Sequence, residues 1–71
     1  MRQARQLVLE MLRELFDEYP NSDVISLYYS YIDCAETMKR RNEAQRIFSL
    51  AYTKWPKEKR MESYIKKGFV P

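Results

Sequence analysis

Apolar residues recur through the first quarter of the chain at the spacing of one helical face. Ala4, Leu7, Val8, Met11, Leu12, Leu15, Phe16 and Tyr19 stand three or four apart, or as adjacent pairs. That pattern predicts an amphipathic helix over 4–19 with a single inward stripe. Pro20 ends it, and Asn21-Ser22-Asp23 offers N-cap candidates for a second helix over 24–38. There Val24, Leu27, Tyr28, Tyr31, Ile32 and Ala35 share a face, which Ile25, Tyr29 and Met38 widen. A stripe that broad predicts contact with two neighbours. Lys39-Arg40-Arg41-Asn42 breaks the pattern, and Asn42 with Gln45 has the spacing of a capping box. The third helix places Ala44, Ile47, Phe48, Ala51, Tyr52 and Trp55 inward, with Pro56 just past its end. A fourth, over 58–67, turns Met61, Tyr64 and Ile65 inward and closes on Lys66-Lys67, with Gly68 as C′ residue and Phe69-Val70-Pro71 trailing. No stretch has the period of a strand. The prediction is an all-α chain whose connections of about three to five residues make consecutive helices antiparallel.

The pattern also nearly repeats. Glu18-Tyr19-Pro20 returns 36 residues later as Lys54-Trp55-Pro56, and Tyr28 returns as Tyr64. A period of that size marks stacked helical hairpins, units that bury their apolar faces only against copies of themselves. The expected architecture is antiparallel helical hairpins stacked as a short right-handed α-solenoid of about four helices. It forms one helical-repeat domain over 1–71: the second helix of a partial repeat in 1–20, a full hairpin in 21–56, and the first helix of a following partial repeat plus tail in 57–71.

Within the third helix the order Ala44-x-x-x-Phe48-x-x-Ala51-x-x-x-x-Pro56 has a physical reason at each place. Small alanines let helix backbones approach, Phe48 fills the space between hairpins, and Pro56 fixes the helix length. This resembles the second half of a tetratricopeptide repeat, and Tyr28 matches the aromatic of the first half. The resemblance covers 25–56, but Ile32 and Ala35 stand where that repeat has a small residue and a Tyr. The half-a-tetratricopeptide (HAT) variant is more similar: Tyr28, Tyr31, Asp33, Glu36, Ala44 and Ile47-Phe48 fit it, while Gln45 departs from its usual Arg, with Arg46 alongside. The resemblance implies a scaffold of eukaryotic RNA processing, and with it a nuclear setting. In hairpin repeats the first helix lines the concave face. By that analogy Ser26, Tyr29, Ser30, Asp33, Glu36 and Thr37 face a protein partner. Tyr28-x-x-x-Ile32-Asp33, Asn42-Glu43-Ala44 and the terminal Lys67-Gly68-Phe69-Val70-Pro71 also resemble the pentatricopeptide repeat, which reads one RNA base per repeat. The places of its two base-reading residues hold Tyr29 and Val24, which do not suit that code.

Charge adds a second candidate. Residues 1–38 carry three basic and seven acidic side chains, a net −4, and residues 39–71 carry ten basic and three acidic, a net +7. A basic half attracts nucleic acid or an acidic partner. Lys39, Arg40 and Arg41 between helices, and Lys57, Lys59 and Arg60 before and within the fourth, are the candidate nucleic-acid contacts. The spacing of Tyr28, Tyr31, Tyr52, Trp55 and Tyr64 assigns those rings to the core rather than to base stacking. A basic helix-turn-helix DNA binder is the reading outside the repeat class; the 36-residue period does not call for it.

The remaining chemistry is sparse. Asp33 and Glu36 lie one turn apart, but nothing beside them in sequence supplies a nucleophile. Cys34, the only cysteine, has no His to activate it and is read as a small buried side chain. With no His and one Gly, neither a zinc site nor a phosphate-binding glycine loop can be built, so no catalysis, metal or cofactor is expected. The lone cysteine points to a reducing, intracellular compartment. The longest aliphatic run, Leu7-Val8-Leu9, is too short for a membrane span or a signal core. Neither end helix has the polar outer face of a capping repeat. The expected partners are therefore a protein, adjacent repeats of a larger chain, or a second copy in a homodimer.

Overall fold

A computed structural model describes residues 2–71, with side chains from residue 4 onward; Met1 and the side chains of Arg2 and Gln3 lie outside the described part. Four helices form: α1 (Arg2–Glu18), α2 (Ile25–Thr37), α3 (Arg41–Lys54) and α4 (Lys59–Lys66). The described residues contain no strand, and none of these helices is long and apolar enough to cross a membrane. The molecule measures 33 × 25 × 17 Å, thin enough that every helix keeps a solvent face.

α2 and α3 bury the positions their spacing predicts: Tyr28, Tyr31, Ile32 and Ala35 from one, Ala44, Ile47, Phe48 and Ala51 from the other. The three alanines are fully enclosed and let the two backbones close up. α1 reaches this core through Phe16, whose ring meets Tyr28 at 4.9 Å and Tyr31 at 5.1 Å, both edge-on. α4 reaches it through Tyr64, 5.8 Å from Phe48 and 6.0 Å from Tyr29. Each buried tyrosine finds an acceptor for its hydroxyl, as a buried phenol requires. Tyr28 donates to the Ser22 carbonyl (2.6 Å), Tyr31 to Glu43 Oε2 (2.6 Å) and Tyr64 to Asp33 Oδ1 (2.8 Å).

Glu43 is the polar centre of the fold. Arg13 donates from Nε to its Oε2 (2.8 Å) and from Nη2 to its Oε1 (2.7 Å), while Tyr31 donates from α2. One carboxylate thus ties α1, α2 and α3 together. The Arg13 hydrogen bonds, then the Tyr31 hydroxyl, hold its pKa down to about 2 against the desolvation that opposes them. Burial first, and the bond to Glu43 second, push Tyr31 up to about 12.

Several sequence expectations are corrected. α1 does not turn its whole stripe inward: of the predicted positions Leu12 and Phe16 are buried, whereas Leu7, Val8, Met11 and Tyr19 are exposed, and Leu9, which lies outside the predicted stripe, is fully enclosed. Its apolar arc is wider than its single line of contact, and the Arg13–Glu43 pair sets which part faces in. Val24 caps α2 from outside the core, and Ile65 of α4 is exposed. Asn42 caps nothing, because α3 begins at Arg41 and Gln45 bonds elsewhere. Cys34 is half-buried rather than enclosed. The trailing segment is part of the core. Phe69 is 2% exposed, packs tilted against Phe48 (5.5 Å) and edge-on against Tyr64 (5.7 Å), and lies 4.0 Å beneath the Arg41 guanidinium. Gln45 holds the backbone of the next residue, accepting from Val70 N–H (2.9 Å) and donating to the Val70 carbonyl (2.8 Å).

The ends of α2 and α4 share one device. After α4, Gly68 takes φ 101°, with Phe69 N–H bonded back to the Tyr64 carbonyl (3.1 Å) and Gly68 N–H to that of Ile65 (2.9 Å), a Schellman arrangement. After α2 the same pair of bonds forms, Arg40 to Ala35 (2.8 Å) and Lys39 to Glu36 (2.9 Å), but the left-handed position (φ 60°) holds Lys39. A side chain there costs about 1 kcal/mol or more, partly offset by the greater freedom of Gly in the unfolded chain. Lys39→Gly is therefore expected to raise stability by up to about 1 kcal/mol, read as a higher urea midpoint at unchanged slope.

Candidate functional site

Helical spacing puts Ser26, Ser30, Asp33 and Thr37 on one face of α2, and the six predicted partner-binding residues divide in their use. Ser26 and Ser30 are exposed and make no side-chain bond among the described residues; Thr37 is exposed and donates to the Asp33 carbonyl (2.8 Å). The other three tie α2 to neighbouring elements. Asp33 accepts from Tyr64 and from Arg60 Nη2 (2.7 Å), and the same guanidinium lies 4.7 Å over the Tyr29 ring. Glu36 pairs with Arg41 (3.3 Å) and Lys67 (3.6 Å). Burial first, and the bond to Asp33 second, push Tyr64 well above the ordinary phenol range; burial likewise raises Tyr29.

The basic candidates also separate. Arg41 engages Glu36, the Lys67 carbonyl (2.8 Å) and the Phe69 ring; Arg60 engages Asp33 and Tyr29. Both are structural. Lys39, Arg40, Lys57 and Lys59 are exposed and form no ion pair among the described residues. Lys39 and Arg40 lie in the α2–α3 connection, Lys57 in the α3–α4 connection and Lys59 at the start of α4, so they come from two different turns of the chain. The rings of Tyr28, Tyr31 and Tyr64 are buried and those of Tyr52 and Trp55 half-buried, so they present no open platform for bases.

The surface that the predicted site residues leave out is the outer edge of α1, the end helix already expected to lack a polar cap. Leu7, Val8 and Met11 are 59%, 48% and 67% exposed, and no described residue covers them. Beside them a largely apolar groove of about 310 Å³ runs between α1 and α2, lined by Ala4, Arg5, Val8, Asp33, Cys34 and Thr37. The Cys34 thiol points across it to the Arg5 carbonyl (3.6 Å), and burial raises its pKa. The groove brings Asp33 and Thr37 of the predicted face against an apolar wall from α1. The signal for that wall was in the sequence: eight apolar positions on a helix of this length exceed what one line of contact can cover.

No family model, curated protein or solved structure matches this chain. The site therefore speaks through its own chemistry. It offers apolar contact bordered by hydroxyls, and its carboxylates are already matched by Arg60, Arg41 and Lys67. Such an edge suits the side of a helix, which is itself apolar along one line and polar along its borders.

Proposed function

We propose that the chain is a non-catalytic protein-interaction scaffold that takes a partner helix along the open edge of α1 and α2. In this reading the four helices are antiparallel hairpins stacked as a short right-handed solenoid, and the docked helix continues the stack. The observation that carries it is the uncovered line Leu7, Val8 and Met11 beside the groove. An apolar line of this kind on an otherwise well-satisfied small protein marks an interaction site. The resemblance to HAT repeats suggests RNA-processing assemblies of the nucleus as its setting.

Panning a displayed library of amphipathic helical peptides against the whole chain tests the reading. Binders are expected, and Val8→Asp should abolish their binding while leaving the circular dichroism unchanged. Binders indifferent to Val8→Asp, or no binders at all, would sink the proposal.

One observation favours RNA binding as a second reading: four of the predicted basic contacts, Lys39, Arg40, Lys57 and Lys59, form no ion pair among the described residues. Phosphate contacts make affinity fall steeply with salt. Charge reversal at Lys39 and Arg40 should then abolish binding of a single-stranded oligonucleotide. Arg41 is left out of that test because it holds the tail.

A further inference from the structure

We infer that the groove between α3 and α4, filled by residues 69–70, is a receptor for an extended peptide segment led by an aromatic residue, with the chain's own segment as its internal occupant. This site is separate from the α1 edge and stands or falls independently of it. α3 builds one wall: Arg41, Gln45 and Phe48 follow one another at the spacing of one helical face. Tyr64 of α4 builds the other. Each polar member is held by a partner outside the segment. Glu36 accepts from Arg41 Nη1 (3.3 Å), Ser49 Oγ accepts from Gln45 Nε2 (3.1 Å) and Asp33 accepts from the Tyr64 hydroxyl (2.8 Å). Phe48 packs against Tyr52 at 5.7 Å. The walls are thus fixed independently of what fills them, and a preorganised site loses less affinity to ordering.

What the walls read defines the ligand class. Phe69 sets its ring against Phe48 and Tyr64 and under the Arg41 guanidinium, so the pocket takes an aromatic side chain. Gln45 engages both the N–H and the carbonyl of Val70, so the following residue is read through its backbone and cannot be proline, which has no N–H. The Val70 side chain is 67% exposed, so its identity is not read. Extended peptides are recognised in this way, by a pocket for one side chain and main-chain bonds for hold. The internal segment itself is lightly held. It leaves the helix at Gly68 (φ 101°), and beyond its ring it is tied by the Phe69 amide on the Tyr64 carbonyl and by the two exposed bonds of Gln45. Segments with few buried contacts open before the rest of a fold, and a partner in excess then occupies the groove by mass action.

Phe69→Ala empties the ring pocket and leaves the walls untouched. Thermal denaturation of this variant and of the parent, followed by circular dichroism with and without N-acetyl-Phe-Val-Pro-amide, tests the inference. The peptide should raise the midpoint of Phe69→Ala progressively with concentration and leave the parent's unmoved, because there the internal segment competes. Should Phe69→Ala lose its helical signal, the same peptide is expected to restore it, since binding to the folded state draws the chain back to it. Replacing the peptide's Phe with Ala, or methylating its Val nitrogen, should remove the effect. A peptide without effect on Phe69→Ala would overturn the inference. Equal rescue by the methylated peptide or by toluene would do the same, showing a cavity that any ring fills rather than a reader of peptides. An equal shift in the parent would also overturn it, by placing the peptide elsewhere on the chain.

Discussion

Phe48→Ala is expected to cost about 3–5 kcal/mol, the range for truncating an enclosed phenylalanine. Phe48 is fully buried, and its ring lies 5.5–5.8 Å from those of Tyr52, Tyr64 and Phe69. The space it leaves cannot close by a small shift, because the surrounding aromatics come from α3, α4 and the tail, each anchored elsewhere. Stability of roughly 0.05–0.15 kcal/mol per residue gives a chain of this length about 4–11 kcal/mol in all, so the loss removes a large share of it. Thermal denaturation followed by circular dichroism should show the variant largely unfolded near the temperature where the parent is native. A variant that melts with its parent would mean that Phe48 does not hold these elements together.

The second large effect belongs to Glu43. Glu43→Gln keeps the shape of the side chain but removes the charge that Arg13 and Tyr31 both address. Hydrogen bonds to a charged group contribute about 1.5–3 kcal/mol, and Arg13 is about a third exposed, so a loss of about 2 kcal/mol is expected. The sign of the pH dependence follows from the direction of the shift. The fold favours the ionised carboxylate, so its contribution is fully present above the ordinary value of 4.5 and is lost as pH falls towards about 2. Urea unfolding at pH 7 and pH 3 should show the parent losing more stability than Glu43→Gln between the two. Equal losses would show that the tie between α1, α2 and α3 does not depend on this charge.

Helical class and the inner positions of α2 and α3 were legible because those two helices are flanked by others and bury most of what their sequence makes apolar. α1 was harder for the opposite reason. Periodicity says which side chains are apolar, not how many neighbours are there to cover them, so the pattern placed Met11 inward and passed over Leu9, the reverse of what the fold does. Glu43 was invisible because an acid in the first turn of a helix ordinarily faces water. Its partners lie 30 residues away at Arg13 and 12 away at Tyr31, a meeting no local rule encodes. The same holds for the α2 face: Asp33 and Glu36 read as surface acids, and only the approach of Arg60, Tyr64 and Arg41 turns them inward to structural use. Phe69 looked like part of a tail because Gly68 interrupts the helical period just before it. Yet the turn that glycine makes is what returns the ring to the core.

The hold of Gln45 on Val70 gives one departure from the HAT pattern a chemical meaning. The two bonds run in opposite directions, one accepted and one donated, to a single residue's backbone. A carboxamide carries both an acceptor oxygen and donor hydrogens at its tip; Arg and Lys only donate, and ionised Glu only accepts. The arginine usual at this place in HAT repeats would lose the bond from the Val70 amide. Position 45 is thus restricted by hydrogen-bond polarity rather than by size or charge, and so long as the tail closes over Phe48 the side chain there must be read as a surrogate peptide group.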